Sequence, residues 1–326
     1  MLPPLSDLLS TARVVALPLR RRFRGIDVRE ALLLEGPEGW TEFSPFTEYD
    51  DAEASAWLAA AIDFGWTPAP RALRDTIGVN ATMPAVAAVD VAEVLTRFPG
   101  CRTVKVKAAE AGQGLADDVA RVSAVRDSLG AEGRIRVDAN GAWNVDEAER
   151  AIHALSPFDL EYVEQPCSTV AELAEIRERV AHLGIPIAAD ESVRKADDPL
   201  AVARAGAADL LVIKAQPLGG IRRAVSIVAE AGLPAVVSSA LDTSIGISMG
   251  AHLAAALPSL DFDCGLATVG LFEVDVATEP LVAVDGAIGV RRVAPDGRVL
   301  DEVEASADRV AWWLSRLERC YRLLES

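Results

Sequence analysis

The sequence predicts an α/β protein: a modified (β/α)7β TIM-type barrel with a discontinuous α+β capping domain. Three observations carry that expectation. From residue 77 onward, short runs rich in Val, Ile and Leu alternate with helical patterns, and strands starting near 79, 102, 134, 160, 186, 210, 234 and 262 recur at one βα unit each. Five of these runs, RTVKVKA (102–108), RIRVDAN (134–140), LEYVEQP (160–166), PIAADES (186–192) and LLVIKAQP (210–217), read as buried parallel strands and yet carry charges. The repeat is flanked on both sides by segments of a different texture, whereas no GxGxxG of an open dinucleotide-binding sheet follows an early strand.

Residues 12–35 read as two strands joined by a basic turn, in which Arg20, Arg21, Arg22 and Arg24 surround Phe23. Such a turn is either a solvated surface feature or a loop over a site for an anionic substrate. A third strand-like piece spans 39–49. Residues 51–66 form a helical pattern with Trp57, Leu58, Ala61 and Ile62 on one face. Pro68 and Pro70 mark a boundary, so 1–76 is expected as the first part of the cap and 77–280 as the barrel. Helix starts within the barrel are signalled by Thr169 with Glu172 at capping-box spacing, by Asp198 before Pro199, and by Gly219-Gly220. Past Thr268 the pattern degrades into short strands over 281–305 and a helix over 306–324. The segment 281–326 is expected to return to the cap.

Composition narrows the function classes. A formal net charge of −17 argues against nucleic acid or an anionic membrane as partner. The thiols Cys101, Cys167, Cys264 and Cys320 are scattered without a CxxC pair, which fits a reducing compartment and suggests neither zinc nor disulfides. No apolar run reaches the ~18 residues of a spanning helix, and the N-terminus lacks a basic signal-peptide region. The expected location is cytoplasmic.

The buried charges are where chemistry is expected. An ionised group in an apolar strand costs several kcal/mol, roughly, unless paired or metal-bound. Asp138, Glu164 and Asp190 end three consecutive strands, at the face where barrel active sites lie. Three carboxylates without His or Cys make an all-oxygen site suited to a hard cation, Mg²⁺ or alternatively Mn²⁺, rather than zinc. The competing reading is a set of ion pairs within the barrel. Lys105 and Lys107 share a face, as do Arg136, Asp138 and Asn140, and Lys214 ends the next strand. A lysine on each side of a metal site points to removal of a proton α to a carboxylate. Crowding by Lys105, a bound cation and desolvation would each favour the neutral amine that acts as base. Glu191, beside Asp190, is expected on the opposite face of a regular strand.

KVK at 105–107, DAN at 138–140, EQP at 164–166, ADES at 189–192 and Lys214 together resemble the enolase superfamily, and within it the muconate-lactonizing-enzyme subgroup. The resemblance covers nearly the whole chain. It implies that Lys107 and Lys214 form the acid/base pair. His153, His182 and His252 all fall in helical stretches, unlike the strand His base of mandelate-racemase-like members. RFRGI (22–26), EFSPFTEY (42–49), VNATMPAV (79–86) and CGLAT (264–268) are further similar to the o-succinylbenzoate synthase family of actinobacterial type. That family dehydrates a cyclohexadiene carboxylate in menaquinone biosynthesis, which implies a small-molecule dicarboxylate substrate. The resemblance also implies substrate contacts at Ser239 and the backbone of Gly265, with Arg22 or Arg24 as further candidates. An N-succinylamino-acid racemase, a muconate cycloisomerase, or a binding protein on the same scaffold remain alternatives. The DFD at 261–263 precedes CGLAT, and so is expected at the wrong strand end for an epimerase's peptide-binding motif.

Overall fold

The computed structural model describes residues 2–194 and 198–325. A short helix, Leu5–Thr11, leads into an antiparallel sheet of β1 (Arg13–Phe23), β2 (Ile26–Gly36) and β3 (Gly39–Phe43). The basic stretch is therefore mostly strand, and the chain reverses at Arg24 and Gly25, both at positive φ. The helix Asp51–Trp66 covers this sheet, started by Asp50, whose side chain accepts from the Glu53 N–H.

The barrel strands follow: β4 (Thr76–Gly78) and β5 (Ala81–Met83), then β6 (Thr103–Lys107), β7 (Arg134–Asp138), β8 (Leu160–Glu164), β9 (Ile187–Ala189), β10 (Leu210–Ile213) and β11 (Ala235–Val237). Strands β5 to β11 form one all-parallel sheet in sequence order. Inward-facing Tyr162, Ala188, Leu210, Val212 and Val236 form a separate inner core with Phe262, while the alternate residues pack outward against the helices. Closure is made by two parallel bridges, Val79 to Cys264 and Ser238 to Gly265. The eighth strand expected near 262 is thus a pair of bridging residues. The Leu266 N–H bonds back to the Cys264 carbonyl (2.8 Å) and turns the chain away at once.

The Thr169–Glu172 capping box is present at the start of helix Val170–Val180. Between β9 and β10 only short helical pieces, Glu191–Arg194 and Ala201–Arg204, are found among the described residues. Asp198 accepts from the Leu200 N–H (3.0 Å) and opens a turn rather than a long helix. No helix is long and apolar enough to cross a membrane among the described residues.

The C-terminal segment divides between the two bodies. Strand β12 (Ala287–Gly289) pairs with β4 at the entry to the barrel, whereas the helix Ala307–Glu325 returns to the cap. There Trp313, fully buried, donates to Glu30 (2.8 Å) and meets the Phe43 ring edge-on. Arg316 donates to the carbonyls of Phe46 and Tyr49 (3.2 and 2.5 Å) and fixes the loop after β3.

Cap and barrel meet through buried charge. Glu42 on β3 accepts from Thr243 N–H (3.1 Å), Thr243 Oγ1 (2.6 Å) and Gly246 N–H (3.0 Å), capping the barrel helix Ser244–Ala256 from the other domain. Burial and the neighbouring Asp242 push the Glu42 carboxyl up to about 7. Burial pushes Asp242 up to about 6. Both acids hold their protons more tightly folded than unfolded, so their contribution to stability is present at pH 4 and lost as the pH rises toward 7. Wild-type stability from urea titrations should fall relative to a Glu42→Gln variant as the pH goes from 4.5 to about 7. Parallel pH curves for the two proteins would refute the strain assigned to this carboxylate.

Candidate active site

Backbone register builds the site. Lys107 on β6 pairs with Asp138 on β7, and Asp138 with Glu164 on β8, so these side chains form one inward-facing row at the C-terminal rim. Asp190 stands one residue past β9, and Lys214 one past β10, inward-facing like Leu210 and Val212 before it. Arg121, from helix Leu115–Leu129, donates to the Lys107 carbonyl (2.8 Å) and ties the end of β6 to its helix.

The charges interlock. Lys105 Nζ lies 3.1 Å from Asp138 and 2.9 Å from Glu164. Lys107 Nζ donates to Asp138 Oδ2 (2.6 Å) and to Asn140 Oδ1 (2.7 Å). Lys214 Nζ donates to Asp190 Oδ1 (2.5 Å). Burial disfavours the Lys105 ammonium, but Glu164 and Asp138 outweigh it and hold the group well above its ordinary range. For Lys214, burial dominates over Asp190 and lowers its pKa. Asp138 is held well below the carboxylate range, its burial overcome by Lys107 and Lys105, and Asp190 likewise by Lys214 and Arg194. Glu164 differs: burial and Asp138 push it up to about 7.

The donor set is consistent with a hard cation. Its acids are all carboxylates, and a single ammonium already lies between two of them. The under-neutralised Glu164 is the kind of group that extra positive charge would relieve. Among the described residues, no three such side chains yet converge closely enough to form a complete cation site.

A cavity at this rim is lined by Lys105, Lys107, Asp138, Asn140, Asp190 and Lys214, and also by Ser239 and Arg24. Glu164 is fully buried beneath Lys105. Ser239 bonds Thr268 (2.7 Å), a second wall residue. Two other candidates, Arg136 and Gly265, are placed elsewhere. Arg136 lies deeper in the barrel and bonds Glu161 (2.5 Å), Asn80 (3.0 Å) and the Asp263 carbonyl (2.6 Å), touching no carboxylate of the row. The Gly265 N–H is spent on the Val237 carbonyl (2.8 Å) as part of barrel closure, which leaves no free backbone donor there. Arg22 is exposed, pairs with Asp27 (3.6 Å), and lines an adjoining surface depression that Arg24, Lys107 and Asn140 also line. Asp263 accepts from Thr103, the first residue of β6, and so stands at the opposite barrel end from the row.

Two residues were misjudged or missed. Glu191 lines the cavity because the strand stops before Asp190, and a helical turn brings both acids to one side. Arg194 on that turn, its side chain only 5% exposed, donates to Asp190 (3.1 Å), Glu191 (2.7 Å) and the Tyr49 hydroxyl of the cap (3.2 Å). Its i, i+3 and i, i+4 spacing to two acids was the available signal.

Residues 14–65 match the family described as enolase N-terminal domain-like, and residues 87–297 match enolase C-terminal domain-like. The chain is 56% identical over 325 residues to o-succinylbenzoate synthase of Mycobacterium tuberculosis (strain ATCC 25618 / H37Rv), covering 99% of this chain and 98% of that one. It belongs to the o-succinylbenzoate synthase family of the enolase superfamily. The Mycolicibacterium smegmatis o-succinylbenzoate synthase is 55% identical over 323 residues, with 99% and 98% coverage. Among solved structures, muconate lactonizing enzyme from Pseudomonas putida superposes with a TM-score of 0.75 at 21% identity, over 90% of this chain and 98% of that one. Dipeptide epimerase from Enterococcus faecalis gives 0.71 at 22% identity, over 87% and 97%. At such identities these structures show the fold of this chain and nothing finer.

Removing Arg194 would leave the buried Asp190 and the half-buried Glu191 short of a cation. Arg194→Ala is expected to cost about 3–5 kcal/mol of stability, read by urea denaturation in EDTA. A loss below about 1 kcal/mol would show that Asp190 and Glu191 do not depend on it.

Proposed function

We propose that this protein is an o-succinylbenzoate synthase that dehydrates 2-succinyl-6-hydroxy-2,4-cyclohexadiene-1-carboxylate to o-succinylbenzoate, a step of menaquinone biosynthesis in the cytoplasm. The identity with the mycobacterial synthases over almost the whole chain carries this reading. The row of buried carboxylates flanked by Lys107 and Lys214 supplies chemistry that fits it.

The residues divide the work as follows. Lys107 Nζ takes the proton from the ring carbon α to the carboxylate. The bond from the neighbouring ring carbon to its hydroxyl then breaks, and the same ammonium returns the proton to the departing oxygen, so that water leaves and the ring becomes aromatic. Asn140, which accepts from Lys107 in the structure, orients the amine. Lys214, from the opposite strand of the rim, stabilises the developing negative charge as a cation near the ring. Phe23 of the cap, whose ring lies 5.5 Å from Lys107 Nζ, helps to keep water from the base. Asp138, Glu164 and Asp190 would hold Mg²⁺, or Mn²⁺ in its place, which when bound supplies positive charge beside the substrate carboxylate. Ser239 and Arg24 line the same cavity and are proposed as contacts to the substrate's second carboxylate.

Lys107→Ala should remain folded and lose dehydration by about 10³-fold or more. The test follows loss of the diene absorbance with Mg²⁺, with EDTA, and beside N-succinyl-amino acids as racemase substrates. Retained dehydration by a folded, Mg²⁺-loaded variant would remove Lys107 from the role of base. Racemisation faster than dehydration in the wild type would overturn the synthase reading.

A further inference from the structure

Arg29 on β2 is buried, and every hydrogen bond its guanidinium makes goes to a backbone carbonyl. Two of those carbonyls lie across the domain boundary: Leu241 (3.1 Å) and Ala240 (3.3 Å), at the end of β11. On the cap side it bonds the carbonyls of Ser44 and Glu30, and it lies 4.4 Å over the Phe46 ring. Ala240, Leu241 and Phe46 are all walls of the cavity that holds Lys107 and Lys214.

The turn so gripped is not one that the chain adopts freely. Leu241 has φ +62°, a left-handed conformation that a branched residue rarely adopts. Such a conformation persists only where its surroundings over-determine it. The other end of the same turn is held by Glu42, which accepts from the N–H groups of Thr243 and Gly246. Gly246 admits that carboxylate: a Cβ there would stand 2.9 Å from Glu42 Oε2 and 2.7 Å from the Asp242 Cβ. Ser44 ties the two arms together. Its hydroxyl donates to Glu42 (2.5 Å), its carbonyl accepts from Arg29, and its N–H reaches Gln216, two residues past Lys214 (3.3 Å).

We propose that Arg29 and Glu42 form a bipolar clamp from the cap onto the turn Ala240–Gly246, and that this clamp positions the cavity wall and so sets substrate affinity. A guanidinium takes the carbonyls at the strand's end while the Glu42 carboxyl group takes the N–H groups at the helix's start. Each satisfies the backbone groups of opposite polarity that the turn leaves without partners. Neither side chain touches the reacting atoms. They are positioning residues, and the substrate cavity they shape is the one assigned under the proposed function.

The test combines local hydrogen exchange, which needs no substrate, with steady-state kinetics. In Arg29→Met and Glu42→Gln, amides of residues 240–246 should exchange faster while β7 and β8 keep their protection. KM should rise about ten-fold or more, the size of one lost charge-assisted hydrogen bond, with kcat within about three-fold of wild type. Arg29→Lys, which keeps the charge but not the fork, should fall between. Unchanged exchange over 240–246, or KM unmoved while only the melting temperature falls, would reduce both residues to ordinary structural contacts and overturn the proposal. Should the wild type fail to dehydrate the cyclohexadiene, the functional reading falls, and the exchange comparison still decides the clamp.

Discussion

The mutual neutralisation of charges at one barrel rim governs this protein. Asp138, Glu164, Asp190 and Glu191 face Lys105, Lys107, Lys214 and Arg194 in a place where none of them could remain ionised alone. Their contacts are short, yet such an arrangement is weak evidence for stability, because desolvation cancels most of the Coulomb gain. What it achieves is geometry. Each ammonium is held against a carboxylate on a neighbouring strand, and the rigid parallel register fixes the spacing between them.

Strand register therefore does the positioning, and departures from regular strand supply the rest. Lys107, Asp138 and Glu164 share a row because β6, β7 and β8 pair without slippage at that rim. Past β9 the chain turns into helix, and that turn adds Glu191 and Arg194 to the site. Past β11 it enters the left-handed bend at Leu241, and the wall of the cavity follows the bend. Regular structure places the lysines and carboxylates of the row, and irregular structure shapes the space around them.

The cap reaches this rim by several buried polar routes: Arg29 to the Ala240–Leu241 carbonyls, Glu42 to the helix start, and Arg194 to Tyr49. The C-terminal helix secures the cap side through Trp313 on Glu30 and Arg316 on the Phe46–Tyr49 loop. A chain whose last segment locks its first can hold the loop after β3 over a site made by the middle. Phe23, Arg24 and Phe46 line the cavity for that reason.

Much of this was legible in the sequence because its causes are local. A parallel strand buried on both faces reads as an apolar run, and a charge at its end is anomalous without knowledge of any neighbour. The alternation of side chains put Lys105 with Lys107 and Asp138 with Asn140, and the recurrence of βα units aligned the row. The Thr169 capping box and the helix over 51–66 are equally local. Where alternation was extended beyond the strand it misled: Glu191 was placed outward because the end of β9 cannot be read from composition. Arg136 and Gly265 were drawn toward the site by strand position and family resemblance, but one lies a layer deeper and the other closes the barrel. Tertiary structure alone decided what lies between distant segments: which arginine of the basic turn reaches the cavity, that Arg194 joins barrel to cap, and that Arg29 and Glu42 grip a turn some two hundred residues away. Sequence determines the period and the residue types, whereas contacts between segments far apart in the chain depend on how the whole fold closes.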